Sequence, residues 1–142
     1  MDKLTHQEFS IGLPEGWYDE TEVLLKGAAV EGISPTITVN KEKLNTAQSS
    51  EEFAYAQLEG LKEAISQGCF ESFEESTFEL AGFDAFRRIY SFSFSDESLT
   101  QMQIYLVRGK TAYIITATTS KKQFAKDLPI FEEAIRRFRF QD

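Results

Sequence analysis

Hydrophobic and polar positions follow two periods along this chain. Period two dominates. Phe9-Ser-Ile-Gly-Leu13 alternates apolar and small residues and predicts a first strand, closed by the turn residues Pro14-Glu-Gly16. Trp17 follows that turn, where it is expected to cover one end of the core. Residues 21–26 predict a second strand ending at Gly27, and residues 35–39 a third, with Ile37 and Val39 on one face. The polar stretch 40–50 predicts a loop. Four more strands are expected over residues 70–80, 83–94, 99–107 and 111–118. Ala81-Gly82, Ser95 to Ser98 and Arg108-Gly-Lys110 supply the turns between them. Such short connections allow only antiparallel pairing.

A helical period interrupts this pattern twice. Ser49-x-x-Glu52 is a capping box, in which each side chain satisfies a backbone N–H that the first turn leaves unpaired. At about 100° per residue, Phe53, Ala54, Gln57, Leu58, Leu61, Ala64 and Ile65 fall on one face, and Gly68 ends the helix. The closing helix is expected from about Leu128 to Phe138. Asp127 is its predicted N-cap, Pro129 sits in its first turn, and Phe131, Ala134, Ile135 and Phe138 form its buried stripe. Three strands, a helix, four strands and a helix make an α+β fold: an antiparallel sheet with helices packed against it, in one domain spanning residues 1–142.

Gln57 breaks the pattern, because it sits in the middle of an apolar arc. A buried amide without partners is costly. Two readings stand: Gln57 reaches water at the edge of the core, or it is presented inside an apolar groove to a bound peptide. Gln103 raises the same question. In Gln101-Met-Gln-Ile-Tyr-Leu-Val107 the alternation puts Gln101, Gln103 and Tyr105 on one face and Met102, Ile104 and Leu106 on the other.

Composition excludes more than it assigns. The 142 residues carry 15 Lys and Arg against 23 Asp and Glu, a net charge of −8, which argues against a nucleic-acid partner. One Cys and one His give neither an internal disulfide nor a His/Cys metal centre, so no metal or cofactor is expected. His6 reads as a surface residue and Cys69 as a structural thiol. Phosphate-cradle, zinc-hydrolase and nucleophile-elbow motifs are all missing from the sequence, and an enzyme is not expected. The N-terminus has no apolar signal core, and no apolar run approaches the ~20 residues of a membrane span. The default expectation is a cytoplasmic protein without membrane insertion. Acidic residues cluster between Lys62 and Arg87, and basic ones from Lys121 to Arg139. They read as solvated faces or as opposite patches that guide docking.

Several segments together resemble the DcrB-related proteins, whose fold is the PsbP-like α/β/α sandwich. They are Leu13-Pro-Glu-Gly-Trp17 through Lys26, Phe53-Ala-Tyr-Ala-Gln-Leu-Glu59, Gln103-Ile-Tyr-Leu-Val-Arg108, Ala112-Tyr-Ile-Ile-Thr-Ala-Thr118 and the Pro129 helix. Within that group the chain is most similar to the Eag chaperones of type VI secretion. The resemblance implies a cytoplasmic homodimer that cradles the hydrophobic N-terminal helices of a PAAR/Rhs-type toxin effector and keeps them soluble for loading. It also implies a client-binding set of Leu24, Ile37, Val39, Gln57 and Gln103. Two residues before Leu24, where such chaperones are apolar, this chain has Glu22. Either the register shifts so that Val23 serves, or the client differs. The alternative expectation is a non-enzymatic, PsbP-like accessory module that binds a folded protein.

Overall fold

The computed structural model describes residues 2–5, 8–64, 70–94 and 96–141. His6, Ile65, Gly68, Cys69 and Ser95 lie outside the described residues. The elements are β1 (Asp2–Thr5), β2 (Ser10–Leu13), β3 (Val23–Lys26), β4 (Thr36–Lys43), α1 (Ser50–Ala64), β5 (Phe70–Leu80), β6 (Phe83–Phe94), β7 (Glu97–Arg108), β8 (Thr111–Ser120) and α2 (Phe124–Arg136). β1 and β2 pair as a small sheet of their own. The other six strands form one antiparallel sheet in the order β3-β4-β8-β7-β6-β5.

The hairpins follow from local chemistry. Ala81 and Gly82 both have positive φ, +53° and +86°, as a two-residue turn between right-twisted strands requires. Gly109, at φ +64°, opens the equally tight turn between Arg108 and Thr111. These two turns set the register of β5 against β6 next to the turn, up to a bulge at Ser72/Glu74, and of β7 against β8, and with it the face to which those side chains point.

Two cores result, one on each side of the sheet. Phe53 and Ala54 of α1 pack on Phe86, Tyr105 and Ala112. Phe131 and Ile135 of α2 pack on the opposite face, against Ile89, Met102, Ile104, Leu106 and Ile115. The layers are therefore helix, sheet, helix, the expected α+β sandwich. Past α2 the chain folds back. Phe138 and Phe140 meet Tyr113 edge to face, and the Arg108 guanidinium lies 4.4 Å from the Phe140 ring centroid.

The capping box forms as predicted. The Glu52 N–H donates to Ser49 Oγ at 3.0 Å and the Ser49 N–H donates to Glu52 Oε1 at 3.1 Å. Four expectations are corrected. β4 runs on to Lys43 through a stretch predicted as loop, because β8 supplies a partner for each residue out to Thr111; pairing overrides the weak strand propensity of Asn-Lys-Glu-Lys. α2 begins at Phe124, which puts Pro129 in its second turn and Asp127 inside the helix, where it accepts a 2.6 Å hydrogen bond from Thr119 Oγ1. Ala134 is exposed, and so is Trp17 at 71%; neither belongs to the core.

Candidate functional site

The register sorts the predicted site residues by face. Residues directly paired across strands share a side of the sheet. Leu24 pairs Thr38, Thr38 pairs Thr116, Thr116 pairs Gln103 and Gln103 pairs Arg88, a single row on the α1 side. The next row reads Lys26, Thr36, Thr118, Gln101, Tyr90. Ile37 and Val39 are one residue out of step, so they point the other way and pack into the α2 core. Ile37 helps line a separate, mostly apolar groove of about 450 Å3, with Leu25, Ile130 and Phe131. The structure thus brings Leu24, Gln57 and Gln103 to one side and leaves Ile37 and Val39 on the other. No register shift puts Val23 in place of Glu22. Val23 pairs Val39 on the α2 side, and Glu22 precedes the strand, exposed.

Gln57 and Gln103 meet in one cleft. It holds about 210 Å3 between α1 and the sheet and is lined by Ala56, Gln57, Gly60, Leu61, Gln103, Tyr105 and Ile114. Both glutamines are half-buried there. Gln57 is thus neither a free surface residue nor fully enclosed: it forms one polar wall of a cleft whose other walls are largely apolar. Leu24, 65% exposed, sits on the same face. Three strand spacings separate it from Gln103, roughly 14 Å.

The polar groups of this face are tied in two parallel chains. In the first, the Tyr90 hydroxyl donates to Gln101 Oε1, and Gln101 Nε2 donates to Thr118 Oγ1 at 2.9 Å. In the second, the Tyr105 hydroxyl donates to Gln103 Oε1, and Gln103 Nε2 donates to Thr116 Oγ1 at 3.2 Å. Behind Tyr105 lies Arg88, 0% exposed. Its Nη1 donates to the Tyr105 hydroxyl at 3.3 Å and to the Ala54 carbonyl at 3.1 Å. Its Nε and Nη2 face Glu75 Oε2 at 3.0 and 2.9 Å. The guanidinium also lies within 5.5 Å of the Phe86 and Tyr105 ring centroids, a cation–π arrangement. Burial pushes the Tyr90 hydroxyl pKa well up. The Tyr105 pKa is raised by burial against the opposing pull of Arg88. Both hydroxyls therefore stay protonated donors at neutral pH.

The sequence pattern singled out Gln57 and Gln103, which the structure brings into one cleft, and placed Gln101 on the same face; Tyr90, Arg88 and the two threonines carried no such signal. The alternation in β7 put Gln101 beside Gln103. Nothing local ties either to a threonine of β8 or a tyrosine of β6. That link depends on the register of two hairpins. Among the described residues, no three His, Cys, Asp or Glu side chains are grouped to hold a metal, and no helix is long and apolar enough to cross a membrane.

Three solved structures share the architecture. A Pseudomonas aeruginosa protein of unknown function, PA94, aligns over 100% of this chain and 98% of its own, with a TM-score of 0.81 at 16% identity. LpqN, involved in cell envelope biogenesis of Mycobacterium tuberculosis, aligns over 96% of this chain and 75% of its own (TM-score 0.63, 14% identity). The cyanobacterial PsbP of Synechocystis sp. PCC 6803, CyanoP, aligns over 92% and 86% (TM-score 0.55, 12% identity). At these identities the likeness is one of fold, and it makes the sandwich PsbP-like. No curated protein matches the chain. The DcrB family model matches residues 8–135, nearly the whole chain, and the protein belongs to the DcrB family.

Proposed function

We propose that this DcrB-family protein is a non-enzymatic binding module: a cytoplasmic chaperone or adaptor for the hydrophobic N-terminal helices of a type VI secretion effector of the PAAR/Rhs kind, acting as a homodimer. The observation that carries this reading is the convergence of Gln57 and Gln103 in one cleft with Leu61 and Ile114, beside a sheet face that exposes Leu24. An apolar helix gains about 25 cal/mol for each Å2 of apolar surface taken out of water. Its small polar side chains and terminal carbonyls still need partners, and a glutamine offers both donor and acceptor atoms. β3 suits self-association, because it is a sheet edge with Val23, Leu24 and Leu25 all exposed.

The test is co-expression with an effector's N-terminal segment. A soluble complex that survives gel filtration is expected. Leu24→Arg and Gln57→Ala should each weaken it, Gln57→Ala by about three- to tenfold, the size of a lost hydrogen bond. Unchanged affinity in both variants removes these residues from the site.

A second reading has its own support. Beyond the cleft the open face carries Thr36, Thr38, Thr116 and Thr118, a polar surface that also suits a folded partner. On that reading the protein is an accessory or assembly module. It would bind a folded protein while leaving apolar segments insoluble.

A further inference from the structure

The two Tyr–Gln–Thr chains have a direction, and that direction selects what the face binds. Arg88 carries only donors, so the Tyr105 oxygen must accept from it. The single Tyr105 hydrogen then needs an acceptor elsewhere. Gln103 is the group in reach, so Gln103 must turn its carbonyl oxygen toward Tyr105. The amide is planar, which sends Nε2 the other way, to Thr116 on β8. A flipped amide would set two donors against the tyrosine oxygen and strand its hydrogen inside the protein. Tyr90, with no exposed surface, imposes the same sense on Gln101, whose Nε2 points to Thr118. Each Nε2 keeps a second hydrogen after its threonine bond, and each threonine hydroxyl keeps one of its own.

We propose that Tyr105 (backed by Arg88) and Tyr90 are positioning residues that fix the amide sense of Gln103 and Gln101, so that this face presents a strip of donors and reads its ligand through acceptor groups, chiefly backbone carbonyls. This deepens the chaperone reading and rests on it for the ligand, though the amide sense belongs to the protein by itself. The last four carbonyls of a helix have no partner within the helix. A client helix whose C-terminal turn lies on the strip meets donors there. One presenting N–H groups finds there mainly the spare lone pairs of the threonine hydroxyls.

The decisive readout is the side-chain NH2 signal pair of each glutamine in isotope-labelled protein without ligand. In Tyr105→Phe, the Gln103 pair should move toward the position of free glutamine and show flip averaging, while the Gln101 pair stays. Tyr90→Phe should do the reverse, and it serves alone if Tyr105→Phe does not fold. A Gln103 pair unmoved in Tyr105→Phe, or pairs already averaged in the unmodified protein, overturns the proposal. A synthetic ~20-residue Ala/Leu/Ser helix then probes recognition. Gln103→Glu, which keeps the acceptor side and loses the donors, should bind it about three- to tenfold more weakly, the size of one lost hydrogen bond. Equal affinity for Gln103→Glu overturns the donor-strip assignment. If the unmodified protein fails to bind the helix, the chaperone reading falls, and the amide signals still decide the positioning role.

Discussion

Arg88 is a full charge with no exposed surface, placed where a helix crosses a sheet. Desolvating a guanidinium costs several kcal/mol unless its charge and its donors are met. Glu75 meets the charge, and Ala54 and Tyr105 meet two donor directions. The Nη1 bond to the Tyr105 hydroxyl gives that oxygen a donor it must accept from. The tyrosines also make a pH prediction. Burial raises the folded-state pKa of Tyr90 and Tyr105 above the unfolded value of about 10. A raised pKa contributes stability that is fully present below the unfolded value and is lost as pH rises toward the folded one. Stability should therefore hold steady up to about pH 10 and then fall by up to ~1.4 kcal/mol per pH unit for each tyrosine. Urea titrations across that range check it. Tyr90→Phe should flatten the fall, and an equally steep fall in that variant would remove Tyr90 as a cause.

At the scale of elements, α1 is the most legible part of the chain. Its capping box is a local signal, and it forms at the predicted residues. Ser49→Ala should cost about 1 kcal/mol in urea unfolding, and a cost near zero would show that tertiary contacts alone hold the helix start. β5 and β6 likewise match their predicted limits, because turn residues and alternation are both local. Legibility ends where a distant partner decides. The polar half of β4 is a strand because β8 lies alongside it. α2 starts five residues before Pro129, one turn earlier than a first-turn proline predicts, because losing the single backbone hydrogen bond that an interior proline cannot make does not outweigh the added turn. The site was half legible for the same reason. A polar residue in an apolar arc announces itself at Gln57. By contrast, Arg88 looks like any charged strand residue until the sheet is assembled. The faces of Ile37 and Val39 relative to Leu24 were also fixed only by the pairing of β3 with β4.

For the whole molecule, the two edges of the sheet are unlike. β5 carries Glu71, Glu74, Glu75 and Glu79, all exposed, and like charges discourage pairing with a second copy. β3 carries Val23, Leu24 and Leu25, all exposed, with Lys26 as its single charged residue. The net charge of −8 keeps such a surface soluble without protecting that edge. If copies associate through β3, Leu25→Lys should weaken self-association by about tenfold or more in sedimentation equilibrium. Because the side chain is already 53% exposed, folding stability should change by less than about 0.5 kcal/mol. An unaltered association constant would move the interface elsewhere.

The fastening of α1 has a mechanical consequence. Ser50 Oγ donates to the Asp84 carbonyl and accepts from the Val107 N–H, and Arg88 holds the Ala54 carbonyl. All three of these bolts sit in the first five residues of the helix. Gln57, Gly60 and Leu61, which border the cleft, lie beyond the last of them. The polar fastening of the helix is therefore concentrated at its N-terminal end. Past Ala54 the contacts are those of side chains such as Tyr55, whose ring lies 5.5 Å from that of Phe86, so on the proposed reading a bulkier client would work against packing there while the three hydrogen bonds at the helix start stay in place.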